Sequence, residues 1–210
     1  AQVGGDFGGA WTVPGGRLAL LVGDGSGKGV EAAGVTAMVR YMTEALSQHR
    51  GEPAELVGEL NDLLCPRMAD GALVTLIVIV VDTTGERLHW CSAGHPPPLI
   101  LTAGGTYMTL EDPDPPCGVS RARRFRAGRA RLARGDLLFV YAAGLGGARR
   151  DGEEFGEERL REAVLDAAGE APDRLAHAVF ATARTWSQGR LTDDVAVAVV
   201  KRVPVRLLVA

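Results

Sequence analysis

A tight turn, Pro14-Gly15-Gly16, joins two extended segments, and it constrains this chain more than any other feature. Val3–Trp11 reads as a glycine-rich strand, and the apolar run Arg17–Asp24 as a buried one. A three-residue loop pairs Val13 with Arg17. The ladder then steps outward one residue on each strand and sets Asp6 opposite Asp24. Directly opposed residues have Cβ atoms about 5 Å apart, where like charges repel. At an effective dielectric of ~20 that repulsion is roughly 3 kcal/mol. A fold keeps such a pair when a cation bridges it or when one carboxylate holds a proton. The flanking glycines leave backbone carbonyls accessible, and an oxygen-rich site of this kind suits Mg²⁺ or Mn²⁺. A bulge at the glycines would instead shift the register and separate the carboxylates.

The rest of the chain reads as alternating groups of strands and helices. Gly29–His49 has helical apolar spacing at Val30, Ala33, Ala37, Val39, Met42, Ala45 and Leu46. A second helix opens at Pro53 and runs to about Leu64. Ala72–Asp82 is rich in Val, Ile and Thr and reads as a strand, with Arg87–Ser92 as its hairpin partner. Leu99–Thr102 and Thr106–Leu110 form another hairpin around Gly104-Gly105, and Leu137–Tyr141 is a buried strand. Phe155–Ala168 and Pro172–Ser187 are amphipathic helices, followed by strands over Val195–Val203 and Val205–Val209. Hairpins dominate, so the sheets are expected to be mostly antiparallel. Two helix pairs and two strand groups predict a layered α+β arrangement.

At 210 residues the chain is read as a single domain, 1–210. A net charge of -3 argues against a nucleic-acid binder. The longest apolar run, Ala72–Val81, is far short of the ~20 residues a membrane span needs. Ala1–Ala10 has no signal-peptide pattern, and the cysteines Cys65, Cys91 and Cys117 have no C-x-x-C spacing. A cytoplasmic location is the expectation. The loop Gly23–Gly29 resembles a phosphate cradle. The P-loop pattern fails because Val22 stands where its first glycine belongs and Gly29 replaces Ser/Thr. Asp193-Asp194, taken alone, is a polar turn before a strand.

Four motifs in order carry a resemblance: Gly4-Gly5-Asp6-Phe7, Gly23-Asp24-Gly25-Ser26-Gly27-Lys28-Gly29, Ala93-Gly94-His95-Pro96-Pro97-Pro98 and Asp193-Asp194. Leu60-Asn61, Val74-Thr75-Leu76 and Gly135-Asp136-Leu137-Leu138 support it. The chain resembles the PPM metal-dependent protein phosphatases, in the bacterial branch typified by SpoIIE and RsbU. The resemblance implies an α-β-β-α sandwich of two antiparallel sheets flanked by helix pairs. It implies two Mn²⁺ or Mg²⁺ ions at one edge, bridged by Asp24. Asp6 and the Gly25 carbonyl would help hold one ion and Asp193 the other, with Asp194 nearby. A water between the ions would attack phosphorus in line, so no side chain is assigned as catalytic. The implied substrate is phosphoserine or phosphothreonine on a regulatory protein of the anti-anti-sigma kind. His95, Asn61 and Lys28 read as structural or solvated, and Ser26 stands where some relatives carry a histidine.

The pattern breaks at one ligand. The family's strand corresponding to Leu137–Tyr141 normally runs into Thr-Asp-Gly-Leu, whereas this chain reads Ala142-Ala143-Gly144-Leu145. Ala143 has no ligand atom on its side chain. The expectation is one firm cation site and a second that is weak or absent, unless Asp194 compensates. Two readings follow: a working phosphatase, and a degenerate phosphatase fold serving as a regulatory or binding module. Only Ala1–Val3 precede the first motif, where the family has one more strand. A longer parent protein with upstream sensor domains, or a homodimer, fits that reading, with Val205–Val209 an alternative filler of the sheet position. Seven arginines in Arg121–Arg134 read as a half-buried strand with a solvated face, or as a dock for an acidic partner.

Overall fold

The computed structural model describes residues 5–27, 29–69, 71–111, 113–191 and 193–203. Gly4, Lys28 and Val205–Val209 therefore lie outside the described residues. Strands β1 (Asp6–Val13) and β2 (Arg17–Gly25) meet at the expected turn. Gly15 and Gly16 have φ of 82° and 68°, a region open to glycine at little cost. The ladder runs without a bulge from Val13↔Arg17 to Asp6↔Asp24.

Helices α1 (Val30–Ser47) and α2 (Pro53–Leu64) follow, then β3 (Val74–Val81) and β4 (Arg87–Ala93). Next come β5 (Leu99–Leu101), β6 (Tyr107–Thr109), β7 (Gly128–Arg131) and β8 (Leu137–Tyr141). A short helix α3 (Ala143–Gly146) leads to a small hairpin, β9 (Arg149–Arg150) and β10 (Glu153–Glu154). Helices α4 (Gly156–Asp166) and α5 (Pro172–Trp186) precede β11 (Val197–Lys201).

One sheet has the order β1-β2-β3-β4-β7 and the other β11-β8-β5-β6; every ladder in them is antiparallel. The two sheets face each other, with α1 and α2 outside the first and α4 and α5 outside the second. The alternation of side chains along a strand explains the layers. In β3, Leu76 and Val78 face α1 and α2, while Ile77, Ile79 and Val81 face the second sheet. In β8, Leu138 and Val140 face the first sheet, and Leu137, Phe139 and Tyr141 pack on α4 and α5. Both central strands are covered on both faces, which is why they read as unbroken apolar runs.

Helix α1 buries part of the apolar pattern, with Val39 in the core and Met42 and Leu46 packed against it. Its buried stripe is Ala32, Thr36, Val39, Thr43 and Ser47, while Val30 is 87% exposed and Ala37 and Ala45 are also exposed. The arginine run forms a regular strand only over β7, with Arg129 and Arg131 exposed. β1 and β7 are the edges of the first sheet, and Gly8, Ala10 and Thr12 on β1 are exposed.

Candidate functional site

The acidic pair sits where an apolar face ends. Leu20 and Val22 of β2 point between the sheets and are buried; the next side chain on that face is Asp24. Asp6 stands directly opposite, so the structure places the pair as the turn predicts. The second sheet supplies the other wall. Asp193 and Asp194, both exposed, immediately precede the approach to β11, and Ala143, also exposed, opens α3.

Backbone hydrogen bonds bring the two walls together. The Ala196 N–H donates to Asp6 Oδ2 at 3.0 Å, and the Ala142 N–H donates to the Ala196 carbonyl at 2.9 Å. These two bonds run from β1 through the start of β11 to the end of β8. On the near wall, the Gly25 N–H donates to the Gly5 carbonyl at 3.0 Å. Ser26 anchors the loop after β2: its N–H donates to the Leu73 carbonyl at 3.0 Å and its Oγ accepts the Leu73 N–H at 2.9 Å. Ser26 is therefore occupied as a loop tie.

Two glycines mark points of closest approach. A Cβ on Gly5 would overlap both the Gly25 carbonyl oxygen and Asp24 Oδ1. A Cβ on Gly144 would overlap the Asp194 carbonyl oxygen. Sequence reasoning singled out neither contact, and the glycine types were the only available signal.

The electrostatics match the crowding. Burial first, then the Asp24 charge, pushes the Asp6 carboxyl up to about 7; Asp193 and Asp194 add to the rise, and the Ala196 N–H opposes it. The acidic residues named from the sequence thus converge electrostatically on Asp6. Among the described residues no three His, Cys, Asp or Glu side chains group closely enough to enclose a metal by themselves. The arrangement suits a single divalent cation seated on Asp6, Asp24 and the Gly25 carbonyl, which are hard oxygen donors. The Gly25 carbonyl oxygen and Asp24 Oδ1 converge over Gly5 because that residue lacks a side chain. Ala143 brings no donor to the far wall.

The remaining candidates are structural. His95 is 3% exposed, and its ring nitrogens meet no partner at full hydrogen-bonding geometry. Burial pulls its pKa down to about 4, and the Tyr141 carbonyl offers only a weak opposing contact. It is a neutral core histidine at pH 7. Asn61 is fully buried; its Nδ2 donates to the Ser120 carbonyl at 2.9 Å and its Oδ1 accepts the Gly118 N–H at 3.0 Å.

Comparisons with known proteins agree with this fold. A family model described as Stage II sporulation protein E (SpoIIE) matches residues 14–203. Protein IcfG of Synechocystis sp. is 27% identical over 191 residues, covering 78% of this chain and 30% of that protein. Phosphoserine phosphatase RsbU of Bacillus subtilis is 18% identical over 184 residues, covering 87% of this chain and 55% of that protein. The crystal structure of the RsbU and RsbW domains of Rv1364c from Mycobacterium tuberculosis superposes with a TM-score of 0.81 at 27% identity. It covers 97% of this chain and 58% of that one. The chain thus spans about a third to a half of the length of these curated relatives. Among the described residues no helix is long and apolar enough to cross a membrane.

Proposed function

The chain belongs to the SpoIIE family, and from that premise we propose that residues 1–210 act as one protein-serine/threonine phosphatase domain. The proposed substrate is a phosphorylated regulatory protein of the anti-anti-sigma kind. The observation that carries the reading is the unbroken register that sets Asp6 against Asp24 at the rim of the sandwich.

The residues divide the work as follows. Asp6, Asp24 and the Gly25 carbonyl would hold one Mn²⁺ or Mg²⁺; Asp193 would hold a second one weakly, with help from Asp194. A bound divalent cation supplies Lewis acidity to the phosphoryl oxygens and lowers the pKa of water. A cation seated there would displace any proton on Asp6 to solvent and offset its repulsion with Asp24. The Ala196 N–H fixes Oδ2 of Asp6, so the carboxylate is oriented before substrate arrives. Gly5 leaves the oxygens of Asp24 and Gly25 room to converge. No side chain is assigned as general acid, because His95 is buried and neutral.

Ala143 favours a second reading, in which the fold is kept as a regulatory or binding module. Charge balance supports it: a second cation would meet fewer carboxylates than the family pattern provides. Mg²⁺ keeps several waters as ligands, so the loss of one side-chain ligand weakens the site without abolishing it.

Calorimetric titration with Mn²⁺ and hydrolysis of a phosphoserine peptide, on one sample, test the proposal. Wild type is expected to bind one cation firmly and to hydrolyse the peptide slowly. Ala143→Asp is expected to add a second site and raise the rate at least tenfold. Two tight, equivalent sites in wild type would overturn the ligand assignment. Activity in Ala143→Asp with none in wild type would establish the regulatory reading.

A further inference from the structure

The stretch Arg121–Arg134 holds seven arginines and no acidic residue, in a chain of net charge -3. The structure lays this charge along one edge of the first sheet: the arm leading into β7, β7 itself and the turn toward β8. All but Arg123 are exposed. Some are neutralised within the molecule. Arg126 pairs with Asp114 at 3.4 Å, Arg131 with Glu86 at 2.5 Å, and Arg129 lies 3.9 Å from Glu52. Arg121, Arg124 and Arg134 have no carboxylate partner among the described residues. Their charge faces solvent from both ends of the run.

The edge starts on the candidate site's side of the sheet and runs away from it, because Arg131 pairs with Arg87 at the end that holds the Pro14–Gly16 turn. Cys117 bridges Val74, and Val74 pairs with Gly25. Two strand spacings, about 10 Å, therefore separate Gly25 from the start of the arm. Arg121 follows four residues later, within roughly 25 Å of the acidic pair. The run from Arg124 to Arg134 spans up to about 33 Å if extended, the scale of a protein face.

The chemistry of the edge selects among polyanions. The aromatic residue within the run, Phe125, is buried, so the run offers no exposed ring to stack on bases or enter a bilayer. Small Ala127, Ala130 and Ala133 stand between the arginines. As the edge strand, β7 also presents backbone groups that a partner strand can pair with. We propose that this arginine edge docks an acidic face of the phosphoprotein whose phosphoserine enters the Asp6–Asp24 site. The inference rests on the phosphatase reading for its substrate, but the docking is measured separately.

The test uses a phosphoserine peptide flanked on both sides by alternating Glu and Val, and the same peptide with Ser in place of Glu. Wild type with Mn²⁺ is expected to favour the acidic peptide by at least tenfold in kcat/KM, through KM. Raising salt from 25 to 300 mM should erase most of that preference. The triple variant Arg121→Glu/Arg124→Glu/Arg134→Glu should lose it, with turnover of para-nitrophenyl phosphate unchanged. Equal use of the two peptides, or a preference that survives in the variant, overturns the proposal. Fluorescence anisotropy of the labelled acidic peptide gives a second readout, with at least a tenfold weaker Kd expected in the variant. If no substrate is hydrolysed, the phosphatase reading fails and anisotropy alone decides the docking. A variant that loses binding to phosphatidylglycerol vesicles or a DNA oligonucleotide, but not to the peptide, also overturns it.

Discussion

Gly5 lacks a side chain at the one place where two candidate ligand oxygens converge. The space its Cβ would fill is taken by the Gly25 carbonyl oxygen and Asp24 Oδ1. Gly5→Ala must therefore push these oxygens outward, and both belong to the proposed cation seat. The expected result is at least a tenfold loss of Mn²⁺ affinity by calorimetry, with the circular-dichroism spectrum retained. Gly34→Ala is the control. Gly34 lies within α1, and a methyl there meets nothing within 4 Å. That change is expected to stabilise the protein by about 0.5–1 kcal/mol in urea unfolding, because it restricts the unfolded chain without a clash. Unchanged Mn²⁺ binding in Gly5→Ala would show that the cation does not sit on these oxygens. The acidic pair at the rim was readable from the sequence. The contact of Gly144 with Asp194 was not, because nothing in spacing reports which backbone a glycine admits.

At the scale of elements, legibility followed how local the determinant is. The β1–β2 register was legible because a short turn and unbroken counting decide it. The helices were legible in extent, but the buried face of α1 only in part. That face is Ala32, Thr36, Val39, Thr43 and Ser47. Its hydroxyls donate to carbonyls of their own helix: Thr36 to Ala33 at 3.1 Å, Thr43 to Val39 at 2.7 Å, Ser47 to Glu44 at 2.7 Å. Satisfied in this way, they pack among Val39, Met42 and Leu46, and a hydropathy pattern finds only the apolar part of that face. The β9–β10 hairpin escaped because two-residue strands carry no period. Asn61 shows how one residue joins elements: from α2 it holds the 118–120 segment through Gly118 and Ser120. Asn61→Leu removes both bonds to that N–H and carbonyl, which lie at the part-buried end of a fully buried side chain. The expected cost is about 2–4 kcal/mol in urea unfolding, and Asn61→Asp should restore only the Gly118 bond. A loss under ~1 kcal/mol for the leucine variant would mean that the segment finds other partners.

Across the whole molecule, two buried titrations work against each other. Asp6, raised from 3.8 to about 7, holds its proton more tightly folded than unfolded, so in metal-free protein its contribution to stability is lost as pH rises from about 4 to about 7. His95, lowered from 6.5 to about 4, takes a proton more readily unfolded, so its contribution is lost as pH falls across nearly the same window. Each effect is on the order of 1–3 kcal/mol, the Asp6 share reduced by solvent screening at a half-buried rim. Their sum leaves the metal-free wild type nearly flat between pH 4.5 and 7, and only variants separate the two. Asp6→Asn, which keeps an oxygen for the Ala196 N–H, is expected to become more stable relative to wild type as pH rises. His95→Leu, close in volume, is expected to do the reverse. Mn²⁺ at pH 7.5 should stabilise wild type and His95→Leu alike, because it offsets the repulsion between the ionised Asp6 and Asp24, and should leave Asp6→Asn almost unmoved. Urea midpoints at pH 4.5, 5.5 and 7.5, with chelator and with Mn²⁺, give all of these comparisons. If Asp6→Asn tracks wild type at every pH, the carboxylates at the rim do not repel one another in the folded protein. The cation would then have no repulsion to relieve between the first sheet and the start of β11.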